Sequence, residues 1–241
     1  MRRHSWALVV SMLLFVPGWA RAGVKGLIVR ERVTSGVGDA APREETRYFS
    51  GSKMVRETPK RRTIVDHDAK TITIVRKDRR TYSIVTFDDL RRQSEELRKR
   101  YDGLLAGGKP PVTMDATVSL KPTGKTEKIA GYEAKEYAIE GAGVSGSVWA
   151  TDAFDIGAGA EEWQKVGGDM GGPRGGPGDQ FATAMAKLKG FPLRMTVTFA
   201  MGPQPVTTTN EATEIQEQSP PAEVLSVPQG FEQVPTAGVS L

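Results

Sequence analysis

Cysteine is absent from this 241-residue chain, and histidine occurs only at His4 and His67. That excludes thiol nucleophiles, His-paired metal sites and zincin motifs, and a Ser-His-Asp triad would have to be built on His67, since His4 falls in a leader-like start. His67 stands between Asp66 and Asp68, which invites a metal reading. Asp-rich tripeptides are, however, the expected tips of hairpins, and adjacent side chains in a turn do not converge on one ion. We read a turn and assign no metal and no cofactor. Gly124-Lys125-Thr126 ends like a phosphate loop, but Ser119 stands where the required earlier glycine belongs. It is read as a β-turn. The chain has 29 acidic residues, yet abundance alone places no carboxylate pair in a cleft. No catalytic residue is assigned, and the chain is expected not to be an enzyme.

The charged runs are more informative. Lys60-Arg61-Arg62 precedes a short strand pattern at Thr63–Val65, and Arg76-Lys77-Asp78-Arg79-Arg80 follows another at Thr71–Arg76. If the two strands pair through a turn at Asp66–Lys70, both clusters meet at one end of a hairpin. Such an edge suits the anionic headgroups of a membrane surface; a merely solvated face is the ordinary alternative. Three of the arginines (Arg2, Arg3, Arg21) lie before residue 23, which leaves residues 23–241 a net charge of only +1. A nucleic-acid binder would need a standing basic excess, so no nucleic-acid partner is expected.

Residues 1–22 carry a positive start, an apolar run from Trp6 to Val16 and the small-residue ending Ala20-Arg21-Ala22. This is the pattern of a cleaved secretory leader. We therefore expect export to a periplasm or, second, to the medium. Without cysteine there is neither a disulfide nor a lipid-attachment thiol.

The elements that must position these groups read mainly as β. Leu27, Val29 and Val33 alternate with polar neighbours, as do Val112, Met114, Ala116, Val118 and Leu120. Leu193, Met195, Val197, Phe199 and Met201 repeat the pattern. A period of two with one apolar face describes antiparallel strands. Shorter strands are expected near residues 46–49, 54–57, 82–85, 133–139 and 148–151. One helix is expected over residues 87–101, with Phe87, Leu90, Leu97 and Tyr101 on a stripe and Thr86/Asp89 as a capping box. A second is expected over about 179–188. Seven glycines in the twelve residues 167–178 predict a mobile loop. From Ser219 an extended tail would be held by Val224, Leu225, Val227 and Phe231. Residues 23–241 are read as a single domain. The strand-face Met and Phe residues are first of all core; lining a cavity is the second reading.

Two segments carry a family resemblance. Residues 124–137 (Gly-Lys-Thr-Glu-Lys-Ile-Ala-Gly-Tyr-Glu-Ala-Lys-Glu-Tyr), followed by Val148-Trp149-Ala150-Thr151, are one. Leu225-Ser226-Val227-Pro228-Gln229-Gly230-Phe231 is the other, and Lys189-Gly190-Phe191-Pro192-Leu193 also fits. Together they resemble an uncharacterised family of exported bacterial proteins similar to the lipoprotein-localisation factors, the LolA/LolB-like superfamily. The resemblance implies an antiparallel sheet curved into an open half-barrel, with one or two helices over its concave face. It implies a cavity for acyl chains and transfers no catalytic residue. On this reading Met114, Val118, Met195, Val197 and Phe199, with Leu90 and Leu97 from the first helix, would line the apolar cavity. Lys60, Arg61, Arg62, Arg76, Lys77, Arg79 and Arg80 would meet headgroups. The expected partners are a lipid or acylated lipoprotein, with transient membrane-surface contact. The alternative is an envelope structural or sensor domain with a closed core that binds another protein.

Overall fold

The computed structural model describes residues 26–36, 41–93, 95–96, 117–141, 143–154, 177–200 and 205–236. Among these residues twelve strands form one sheet: β1 Leu27–Gly36, β2 Arg43–Ser50, β3 Lys53–Glu57, β4 Arg61–Asp66, β5 Thr71–Arg76, β6 Thr81–Thr86, β7 Ser119–Ile129, β8 Tyr132–Gly141, β9 Val144–Thr151, β10 Phe191–Phe199, β11 Val206–Gln216 and β12 Glu232–Gln233. Their order across the sheet is β12-β6-β5-β4-β3-β2-β1-β11-β10-β9-β8-β7. All neighbours are antiparallel except the two-residue β12, which runs parallel to β6. The sheet is an open, curved half-barrel that does not close. Two sequential meanders, β1–β6 and β7–β11, meet where β1 pairs with β11.

The tight turns follow from local chemistry. Asp66 accepts the Ala69 amide at 3.0 Å and Ser52 donates to Asp68 at 2.6 Å, so the Asp66-His67-Asp68 acids hold a hairpin tip. Helix α1 begins at residue 87 and is described over 87–93 and 95–96. Its start is the expected reciprocal cap: the Asp89 amide donates to Thr86 Oγ1 at 3.1 Å, and Asp89 Oδ2 accepts from the Thr86 amide and hydroxyl. Helix α2 spans Pro177–Met185, starting two residues earlier and ending three earlier than expected. Pro177 and Gly178, expected in the glycine-rich loop, are helical instead; proline suits a first helical turn because its missing N–H has no partner there anyway. The remaining loop residues, 167–176, lie outside the described residues.

Three further differences have physical causes. Of the alternation over 112–120, residues 112–116 lie outside the described residues, and in the described part β7 starts at Ser119 and runs on to Ile129. Gly124-Lys125-Thr126 is not a turn between elements but a bulge inside β7, where the register with β8 shifts between Pro122 and Thr126. Pro122 cannot donate to the ladder and Gly124 adopts φ +81°, so the strand expels residues and resumes pairing. Pro122, the bulge and three lysines also blunt this outer edge of the sheet. Lastly, β11 carries no apolar alternation, since only Ala212 is buried. It is held by ladders on both sides and by cross-strand hydroxyl pairs, Thr196–Thr209 at 3.1 Å and Thr198–Thr207 at 2.8 Å.

Both helices lie on one face, here the inner face. Leu90 of α1 packs with Val65, Ile72, Ile74 and Val85, while Met185 and, beyond the helix, Leu188 pack with Ile139, Val144, Val148 and Val197. The outer face of the β3–β5 region is covered by the tail as expected. Leu225, Val227 and Phe231 pack on Val55, Ile64 and Val75. Arg62 donates to the carbonyls of Glu223 at 2.7 Å and Ser226 at 3.2 Å.

Close backbone approach explains Gly146 in β9. A Cβ there would sit 2.0 Å from the Thr196 carbonyl oxygen, at φ +150°. Gly146→Ala is expected to destabilise the fold by about 2–4 kcal/mol in urea titrations. An unchanged midpoint would contradict the β9–β10 register.

Candidate functional site

Strand register brings four of the expected apolar residues together. Val118, Met195, Val197 and Phe199 belong to one cluster with Ile139, Val144 and Val148, and Phe181, Met185 and Leu188 are laid across it. The rings of Phe181 and Phe199 meet edge to face, 6.0 Å between centroids. Among the described residues the α2 region lies on the cluster that holds Met195 and Phe199. Leu90 lies in the separate cluster over β4–β6. Met114 and Leu97 lie outside the described residues.

The basic residues divide into two kinds. Arg61 and Arg76 are direct cross-strand partners, so the two clusters do share one end of the hairpin. Lys60, Arg61, Arg79 and Arg80 are exposed and Arg76 is half-buried. Arg80 also stands over the Phe231 ring. Arg62 and Lys77 are otherwise engaged: Arg62 is buried and pairs with Glu57 at 2.9 Å, and Lys77 pairs with Glu57 at 2.6 Å. Burial pushes the Glu57 carboxyl up, but the hydrogen bonds from Lys77 and Arg62 outweigh it and hold it below the ordinary range. These two cations tie the sheet and the tail and have little left for a headgroup.

The same register fixes where this edge lies relative to the apolar cluster. Pairings Gly36↔Thr207, Phe199↔Val206, Phe199↔Val144 and Gly141↔Val144 put these residues at one end of the sheet, whereas the row Arg62↔Glu57↔Thr46↔Arg30↔Glu214 sets the basic edge level with the middle of β1, away from that end. Val206, exposed at 37%, sits at that end beside the half-buried Phe199.

A third group escaped the sequence reading. Arg43, Glu45 and Arg47 alternate along β2 on the same face as Phe49, and Arg56 of β3 is the cross-strand partner of Arg47. Glu31 of β1 pairs with Glu45 in the β1–β2 ladder. Glu31 and Glu45 are 3% and 4% exposed. Glu45 accepts from Arg43 at 2.7 Å and from Arg56 at 2.5 and 2.9 Å; Glu31 accepts from Arg47. Burial raises the Glu45 carboxyl, but Arg56 and Arg43 hold it net below its ordinary value. The available signal was charge at period two in phase with Phe49, which places ions on a face that must also be buried. A separate shallow depression of about 290 Å³ beside β8 and β9 is lined by Glu133, Lys135 and residues 150–153. Lys135 and Asp152 pair across it at 2.7 Å.

A family profile described as Domain of unknown function (DUF4412) matches residues 41–231. The chain belongs to the DUF4412 family. The match begins just before β2 and ends at Phe231, so it takes in both segments that carried the resemblance. No curated protein matches the sequence. Similar solved structures include PNGF-II, at 12% identity and TM-score 0.41, covering 87% of this chain. This chain spans only 30% of that PNGF-II chain. An uncharacterized conserved protein from Thermus thermophilus aligns at 9% identity and TM-score 0.44, covering 88% of this chain and 91% of the other. The LolA superfamily protein NE2245 from Nitrosomonas europaea aligns at 7% identity and TM-score 0.33, covering 86% and 92%.

The depressed Glu45 carboxyl makes a directional prediction. Between its lowered folded value and the ordinary carboxylate value, the unfolded chain binds more protons, so stability rises with pH there. The contribution is complete above the ordinary value and is lost as pH falls through the folded one. Glu45→Gln is expected to cost about 3 kcal/mol at neutral pH, since it unpairs two cations at a buried site. That deficit should shrink below the ordinary carboxylate range in urea titrations. A deficit independent of pH would contradict the assignment.

Proposed function

We propose that this DUF4412 protein is a non-enzymatic, exported binding protein that takes an apolar chain, of a lipid or of an acylated lipoprotein, on its inner face. The observation that carries this reading is the Val118–Met195–Val197–Phe199 cluster on the inner face, half-buried at Met195 and Phe199 and overlaid by the short α2 segment, on a sheet whose rim also exposes or half-exposes Lys60, Arg61, Arg76 and Arg79. A basic rim on the same sheet as an apolar site suits docking on an anionic membrane and transfer of a chain from it. The leader-like residues 1–22 support work in a periplasm.

In this reading α2 is the cover. It is a nine-residue helix, and its segment's apolar contacts with the site run through Phe181, Met185 and Leu188. Uncovering three such side chains costs roughly 5–9 kcal/mol, at about 1.5–3 kcal/mol each. An acyl chain burying ten methylenes supplies about 8 kcal/mol. The two are matched, so exchange of helix for ligand is feasible in both directions. The second reading, a closed core in an envelope interaction domain, is favoured by the full burial of Val148 and Ile139 beneath the same helix.

Met195→Glu and Phe199→Asp are expected to leave the protein folded and exported but free of lipid after gentle purification and solvent extraction. Lipid content equal to wild type would sink the apolar-site reading in favour of the closed core. Lys60→Gln and Arg79→Gln should each weaken binding to anionic vesicles about fivefold, from about 1 kcal/mol per basic residue near the surface. Vesicle flotation unaffected by either change would remove the basic edge from the account.

A further inference from the structure

We infer that Arg43, Arg47 and Arg56 on the inner face form a recognition site for the anionic group of an amphiphilic ligand, a carboxylate or a phosphate attached to an apolar chain. The inference rests on the reading of the inner face as the ligand site and adds the chemistry of what enters it.

The cluster is overcharged and underused. Three guanidiniums face two carboxylates, Glu31 and Glu45, on adjacent strands. Each guanidinium offers five N–H donors in a fixed fork, yet among the described residues only four donor atoms of the three are engaged: Arg43 Nε, Arg47 Nη2, and Arg56 Nε and Nη2. Arg47 Nε is buried with no hydrogen-bond partner among the described residues. A cluster serving stability alone would be expected to neutralise its charge and satisfy its donors, because unpaired buried donors are costly.

The arrangement also leaves the unused donors accessible. Glu45 is fully buried and grips both Arg43 and Arg56 through their Nε atoms, which fixes the two side chains. Those side chains remain 51% and 48% exposed, and both Nη groups of Arg43 and Nη1 of Arg56 are not engaged by the described residues. The free Nη pair of Arg43 with the remaining Nη1 of Arg56 suits a planar carboxylate or a phosphate. Arg47 completes the boundary: it reaches Glu31 on one side and stands 5.7 and 5.9 Å from the ring centres of Phe49 and Phe191 on the other.

Register then joins this site to the apolar one. Arg43 pairs with Val33, Val33 with Asn210, and Asn210 with Met195, a single row across β2, β1, β11 and β10. Three strand spacings put Met195 about 14 Å from Arg43. A ligand whose anion rests on the arginines can therefore lay its chain along this row and under α2. Asn210 Oδ1, buried and unpartnered among the described residues on the way, fits a hydrogen-bond donor near the ligand's head.

The test is calorimetric titration of the full-length exported protein with dodecyl phosphate, laurate and uncharged monolaurin, each below its micelle concentration. Wild type is expected to bind one or both anionic chains at least tenfold tighter than monolaurin. Arg43→Gln and Arg56→Gln should abolish that preference, and Arg32→Gln on the outer face should not. Arg43 is half-exposed and Glu45 keeps its two hydrogen bonds from Arg56 without it, so the Arg43 variant is expected to remain folded and to stay informative should Arg56→Gln misfold. Preference for dodecyl phosphate would point to a phospholipid source, preference for laurate to a fatty acid. Equal binding of all three chains would overturn the anion site while leaving the apolar site standing. No binding of any chain would overturn both.

Discussion

Everything on the inner face depends on the pairing of β1 with β11. Each meander can form from local hairpins, but neither alone brings the arginines of β2 beside the apolar strands β10 and β9. The β1–β11 ladder joins residues near opposite ends of the chain, Ile28 with Gln216 and Gly36 with Thr207. Loop-closure entropy opposes such a contact, and local hairpins form before it is made. The ladder contains one irregularity, between Arg30 and Glu31, where Glu31 comes to face Ala212. The extra residue is Thr213 of β11, while Glu31 keeps the period of Val29 and Val33 and so lies on the buried side, where it meets Arg47. A crowded joint at Gly26 guards the same seam: a Cβ there would lie 2.7 Å from Pro220 Cδ.

Joining the meanders creates a face of two characters. One part is apolar and carries helices; the middle, along Glu31, Glu45, Arg43, Arg47 and Arg56, is ionic and buried at its acids. Removing charges from water costs several kcal/mol per ion, and well-packed apolar residues of similar volume would usually stabilise as much or more. Keeping ions here is therefore better explained by what they contact than by stability. By contrast, the Glu57–Arg62–Lys77 group on the opposite side of the sheet has a clear structural task, since Arg62 anchors the tail through two backbone carbonyls.

Much of this fold was legible because local patterns coincide with its outcome. The alternation of Leu27, Val29 and Val33, the Thr86/Asp89 cap and the apolar anchors of the tail each depend on a few neighbouring residues. The shared end of the two basic runs followed from one hairpin. What could not be read depends on distant pairing. β11 is a central strand rich in threonine, so it lacks the apolar face that marks strands in sequence. The bulge in β7 looked like a turn because Pro122 and Gly124 produce the same local signal in both. Which helix covers Met195 was invisible, since α1 and α2 have similar stripes and only the sheet order separates them. Arg43, Glu45 and Arg47 looked like a wet face because charge alternates there as it does on any exposed strand.

The central claim is that the inner face exchanges α2 for an apolar chain. Native mass spectrometry of the protein purified gently from a periplasm tests it most directly. The account predicts a bound species of defined mass, released by solvent and identified as a lipid or acyl chain. A clean unliganded mass, unchanged after incubation with phospholipid and acylated peptide, would contradict it.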